Sequence, residues 1–165
     1  MTRPVKNFQK ILYPLLCLTG GLASGILSKL LDIHTSTLGN IFPEFSIWIL
    51  LGVVISIYSV SPGKAAIRVF LFCAGMLAAY YFTAAALHSP VPEKFLYGWG
   101  FFSLCSPLFA WITWYSKTKK PVSYLISFGI IGIALLASVI FFHGPRFYDI
   151  VIILLLIFLL FIKKM

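Results

Sequence analysis

Acidic residues are nearly missing from this chain: 4 Asp+Glu stand against 13 Lys+Arg in 165 residues, and charged residues of both signs make up 10%. Soluble domains carry about a quarter charged residues, so a soluble globular chain is excluded. Cysteine is sparse as well. Cys17, Cys73 and Cys105 stand singly inside apolar runs, without the paired spacing of a zinc site or a redox couple, and they read as small buried hydrophobes. Enzyme signatures are absent: there is no His-Glu-x-x-His, no Gly-x-Ser-x-Gly, no phosphate loop and no Cys-x-x-Cys. The expected function is therefore not enzymatic. The net charge of +9 is scattered between apolar runs rather than gathered in a patch, which removes nucleic acid from the expected partners.

What the chain does have is apolar surface: 61% of residues are hydrophobic, 17% are aromatic, and the mean hydropathy is +1.01. Disordered segments lack such residues, so disorder is excluded too. Six apolar runs, at 11–31, 45–60, 65–87, 95–115, 122–142 and 148–162, are separated by polar punctuation. A crossing helix needs about 20 apolar residues, so the runs predict an all-α, polytopic transmembrane bundle of six helices, one domain over 1–165. Ser61-Pro62-Gly63-Lys64 reads as a turn, and Pro90, Pro92, Pro121 and Pro145 mark further boundaries. Arg3, Lys6 and Lys10 precede the first run as they would in a signal peptide. That run is longer than a signal core and lacks a small-residue cleavage site, so it reads as a retained helix.

Basic residues give the orientation. With the N-terminus in the cytoplasm, the inner ends and loops hold Arg3, Lys6, Lys10, Lys64, Arg68, Lys117, Lys119, Lys120, Lys163 and Lys164, and the outer side holds Lys29, Lys94 and Arg146. This imbalance obeys the positive-inside rule and puts both termini in the cytoplasm. Trp48 and Trp99 then fall near the outer interface, and Trp111, Trp114 and Tyr115 near the inner one. The expected setting is a lipid bilayer.

On the outer side the same frame gathers Asp32, His34, Glu44, His88, Glu93, His143 and Asp149. Each outward-running helix ends near a histidine, two of them as His88-Ser89-Pro90 and His143-Gly144-Pro145. Three readings compete. In the plainest, the histidines cap free carbonyls at helix C-termini, where the dipole favours them. In the second, these residues and Tyr80 and Tyr81 below His88 line a pocket for a small polar solute or ion. In the third, His34, His88 and His143 with a carboxylate bind a divalent metal. The segment 32–46, with Thr35, Ser36, Thr37 and Asn40, is a surface loop or a lid. No Asp, Glu, Lys or Arg lies deep within a run, which counts against a self-sufficient ion-coupled pump.

Small residues crowd the first run as Gly20, Gly21, Ala23, Ser24, Gly25 and Ser28, and the third as Ala74, Gly75, Ala78, Ala79 and Ala84–86. Such residues let helix backbones approach within a membrane. Gly21, Ala23, Ser24 and Gly25 are therefore either packing inside the bundle or a docking face for a partner subunit or a second copy. The sixth run has nothing small and is expected at the bundle edge, facing lipid.

Two resemblances follow. Gly20-Gly21-Leu22-Ala23-Ser24-Gly25 with Leu31-Asp32, Trp48 with Leu51-Gly52, Gly75-Met76 with Tyr80-Tyr81, Tyr97-Gly98-Trp99, and Ser106-Pro107-Leu108-Phe109-Ala110 resemble a family of small bacterial polytopic membrane proteins of uncharacterised function. That likeness implies a location in the bacterial cell (inner) membrane and no activity. In architecture the chain is similar to the substrate-capture subunits of energy-coupling-factor transporters. These bind a vitamin or metal outside and dock a coupling subunit through small residues of the first helix. Here Ala23, Ser24 and Gly25 stand where that docking would fall, without the family's Ala-x-x-x-Ala spacing. The expected function is capture or passage of a small solute or ion at the outer face. The alternatives are an accessory subunit docking through the first helix and an outer-face metal-dependent enzyme.

Overall fold

Serine and proline decide where several helices begin. In the computed structural model, which describes residues 3–35, 45–89, 91–118, 120–142 and 147–162, the described residues form six α-helices and no strand. They are α1 (Arg3–His34), α2 (Phe45–Ile57), α3 (Pro62–Ala86), α4 (Glu93–Trp114), α5 (Pro121–Phe142) and α6 (Phe147–Ile157). A 3-10 turn, Tyr115–Lys117, follows α4, and a π-helical stretch, Phe158–Ile162, continues α6.

The sequence 61–64, expected as a turn, is the first turn of α3. Ser61 is the N-cap in an extended conformation, its Oγ accepts from the Lys64 N–H at 3.4 Å, and Pro62 takes the first helical position. Proline is tolerated there because that N–H would be unpaired in any case. The same tolerance lets α1 start at Arg3, upstream of the expected residue 11, with Pro4 in its first turn. Proline inside α4 is handled differently. Pro107 cannot donate to the carbonyl of Ser103, and the Ser106 hydroxyl donates to that carbonyl instead at 2.7 Å.

Successive helices alternate in direction. The C-terminal end of α2 meets the start of α3 and the end of α4 through Ser59, Arg68 and Trp114. Ser123 at the start of α5 donates to the Ser116 carbonyl just after α4. Tyr124 and Phe128 of α5 meet Phe161 beyond α6, and Ser46 at the start of α2 lies 3.5 Å from Ser138 near the end of α5. One end of the bundle thus gathers residues near 13, 59, 68, 117 and 123, the basic end. The other gathers Asp32, Glu93 and Asp149, the acidic end.

α2 is the central helix, touching α3, α4, α5 and α6. One of its sides joins Val69, Phe72, Cys73, Met76 and Ala110 through Trp48. The other joins Ala134, Ile152, Leu156 and Leu160 through Val53 and Ile57. Trp48 is therefore a core residue, edge-on to Trp99 with ring centroids 6.4 Å apart, and not the interfacial anchor expected of it. α6 keeps an edge position but buries the stripe Ile152, Leu156 and Leu160, four residues apart on one face.

Beside this apolar core the bundle buries many serines and leaves large apolar side chains exposed. Ser46, Ser56, Ser59, Ser116, Ser123, Ser127 and Ser138 are buried, while Phe82, Phe101, Leu104, Leu125 and Phe128 project outward. Phe82 is 77% exposed and Ser56 0%. The inward serines return their hydroxyls to their own helices, as in Ser56 to the Gly52 carbonyl and Ser127 to the Ser123 carbonyl. Small and able to bond their own backbone, they let helices pack closely; the buried Ser116 hydroxyl is the exception and makes no hydrogen bond. Two helical segments, Leu12–His34 and Pro62–Ala86, are long and apolar enough to cross a membrane; Ser46–Ile57, Pro121–Leu136 and Phe147–Phe161 are apolar but shorter.

Candidate functional site

The close approach of α1 and α3 builds the site. A Cβ on Gly21 would overlap the Phe72 carbonyl oxygen, and one on Gly25 the Met76 carbonyl oxygen. On the other helix, a Cβ on Gly75 would sit 2.9 Å from the Leu18 carbonyl. The two helices run parallel in a four-residue register, Gly21 on Phe72, Gly25 on Met76, and one turn further Lys29 on Tyr80. Glycine is required along this seam because only a bare backbone lets the helices come this near.

At the acidic end of the seam the contact becomes polar. Lys29, 3% exposed, donates to Asp32 Oδ2 at 2.8 Å, and Tyr80 Oη donates to the same oxygen at 3.3 Å. The ammonium lies 5.2 Å from the centroid of the Tyr80 ring, and the Tyr81 ring stands edge-on to Tyr80 at 5.5 Å. Tyr81 Oη is buried and makes no hydrogen bond. A buried ammonium costs several kcal/mol unless paired, so Asp32 and Tyr80 are what keep Lys29 inside. The Asp32 side chain is 35% exposed, which leaves one face of the cluster open to a solute.

The remaining expected site residues disperse. His34 is exposed and its Nδ1 donates to the Leu30 carbonyl of its own helix at 2.9 Å, so it is a C-terminal cap. Thr35 adds a second, Oγ1 to the Leu31 carbonyl at 2.8 Å. His88, also exposed, ends α3 with a left-handed backbone, φ 49°. Its N–H donates to the Ala85 carbonyl and that of Ser89 to the Ala84 carbonyl, the paired C-terminal closure in which glycine is the usual occupant. Glu93 is exposed in the first turn of α4, and Asp149 is fully buried in the first turn of α6. Both favour the positive end of their helix dipoles. Glu44 and His143 lie outside the described residues. Among the described residues no three His, Cys, Asp or Glu gather as a metal site, and His34 and His88 each serve the end of a different helix. Gly21 and Gly25 are occupied by α3, Ser24 is half-buried, and Ala23 is exposed, so the four expected docking residues form no common surface.

Two features escaped sequence reasoning. Lys29 counted only as an outer-side charge, although its spacing of three from Asp32 is that of an intrahelical ion pair. The second is a polar knot at the basic end. Trp114 Nε1 and Lys117 Nζ both donate to the Ser59 carbonyl, at 2.9 and 2.8 Å, Lys117 also reaches the Ile57 carbonyl at 3.2 Å, and Arg68 Nη1 donates to Ser59 Oγ at 3.2 Å. These donors close the C-terminal end of α2, whose carbonyls have no intrahelical partner. Burial pushes the Lys117 ammonium below the ordinary lysine value.

Compared with protein-family models, with curated proteins and with solved structures, the chain matches nothing. Neither resemblance drawn from the sequence gains support from these comparisons, and the reading of the site rests on its geometry.

Proposed function

We propose that this chain is a multi-pass protein of a bacterial inner membrane, its six helices crossing the bilayer with both termini in the cytoplasm, and that it captures a small polar solute at its outer face. The membrane reading is supported by the many large apolar side chains that project outward and by the serines buried between helices, which suit a hydrocarbon solvent. The shorter helices α2 and α6 fit a bundle in which neighbouring helices cover them and the local bilayer thins to meet them.

The observation that carries the capture reading is the Lys29–Asp32–Tyr80 cluster, with the Tyr81 ring edge-on to Tyr80 and its buried hydroxyl unbonded. Ionisable groups within a membrane bundle are costly and are kept where they bind or conduct. A cation and an anion in one seam, with an unbonded phenol on the next residue, suit a solute bearing both an acceptor and a donor, with Asp32 and Tyr81 as its partners. With Gly21 and Gly25 spent on α3, the accessory-subunit reading loses its small-residue seam.

The test is native mass spectrometry of the full chain, extracted in mild detergent without a metal column. Capture predicts a retained mass of a few hundred daltons that is lost in Asp32→Asn and in Tyr81→Phe. A bare wild-type chain, or a ligand retained equally by both variants, contradicts it.

A further inference from the structure

The basic end of the bundle carries a site of the opposite character, and we propose that Arg68 and Lys117 hold the phosphate of an anionic phospholipid at the inner surface of the membrane. Both cations converge on Ser59, Arg68 on its hydroxyl and Lys117 on its carbonyl. Arg68 is only 8% exposed, and its Nε is buried with no hydrogen-bond partner. A guanidinium cannot shed its proton to escape burial, so its charge needs a counter-ion. At the acidic end the chain supplies one: Lys29 has Asp32. At the basic end it supplies none, because 1–10, 57–68, 114–122 and 158–165 contain no Asp or Glu. An anion from outside the chain would balance the Arg68 charge.

Phosphate suits the vacancy in charge. The planar guanidinium offers several donors in a fixed fork, and Lys117 adds a point charge at the carbonyl of the same serine. Lys117 has already met the free carbonyls of α2, so the negative end of that helix does not repel an anion. Tyr13 lies under the guanidinium at 4.7 Å and Trp114 under the ammonium at 4.5 Å, rings of the kind that sit at headgroup level. The lipid form of phosphate is favoured over the free ion because Val60 and Ile67, close in sequence to Ser59 and Arg68, are exposed and apolar and offer contact to an acyl chain. This inference uses the membrane reading and its orientation but not the solute.

Binding of dioleoylphosphatidylglycerol and dioleoylphosphatidylcholine to the full-length protein in non-ionic detergent tests it. The wild type is expected to prefer the anionic lipid. R68Q and K117Q should each weaken that lipid by about fivefold, the loss of one surface cation. K64Q, which removes an exposed lysine at the same end, should stay within about twofold. Equal binding of the two lipids, or R68Q binding like the wild type, overturns the proposal. Displacement of phosphatidylglycerol by inorganic phosphate overturns the lipid assignment in favour of the free ion. Should R68Q fail to fold, the wild-type melting temperature carries the test: a rise with phosphatidylglycerol and not with phosphatidylcholine supports the site, and equal rises overturn it. Failure here leaves the Asp32 and Tyr81 experiment untouched, so the two proposals fall separately.

Discussion

Asp32 holds a buried cation in place, and its removal measures what that costs. Asp32→Asn keeps the shape and a weaker acceptor for Tyr80 but leaves Lys29 without its anion. A fully dry pair broken on one side would lose more, but the partial exposure of Asp32 lowers the expected loss to about 2 kcal/mol. Thermal melts in detergent read this directly, and Lys29→Met in the same background should recover most of it, since no charge is then stranded. His88 offers a change of the opposite sign. Its left-handed backbone carries a Cβ that glycine would not, so His88→Gly is expected to stabilise the protein by about 1 kcal/mol. An unchanged or lower melting temperature would show that the His88 ring makes a contact worth more than the strain. The carboxylate and the tyrosines were legible in the sequence as polar residues near one face. Their joining with Lys29 was not, because it depends on which helix lies beside α1.

That neighbour relation belongs to the element scale. α1 and α3 are fixed by glycine against carbonyl oxygen, so Gly25→Ala should destabilise by about 2 kcal/mol through overpacking against the Met76 backbone. Gly98 of α4 has nothing within 4 Å of an added Cβ, so Gly98→Ala should be neutral or stabilising by up to about 1 kcal/mol from helix propensity. Paired melts decide it, and similar effects at the two positions would contradict the seam. Sequence alone located every helix to within a few residues at most ends, because apolar runs and prolines mark them. It missed the early start of α1 and read the first turn of α3 as a loop, where Pro4 and Pro62 stand at helix starts rather than between helices. Packing was less legible. A helix apolar all round, as α2 is, shows no polar face from which its orientation can be read, and so Trp48 was expected at an interface when it fills the core.

At the scale of the whole molecule, two ends of opposite charge are joined by an apolar waist with serines inside. The acidic end holds its cation with its own carboxylate, and the basic end has cations and no Asp or Glu. That asymmetry is what a membrane with anionic lipid on its inner side would accommodate. The central claim is that the ends face opposite sides of a membrane, the acidic end outward. It is tested most directly by labelling with a membrane-impermeant maleimide in intact bacterial cells, using a background in which Cys17, Cys73 and Cys105 are replaced by serine. Single cysteines are placed as Glu93→Cys at the acidic end, where the residue is exposed, and as Gly63→Cys at the basic end, where an added Cβ meets nothing. The account predicts that Glu93→Cys is labelled in intact cells and that Gly63→Cys is labelled only after the membrane is opened. Labelling of Gly63→Cys in intact cells, or protection of Glu93→Cys there, would contradict it.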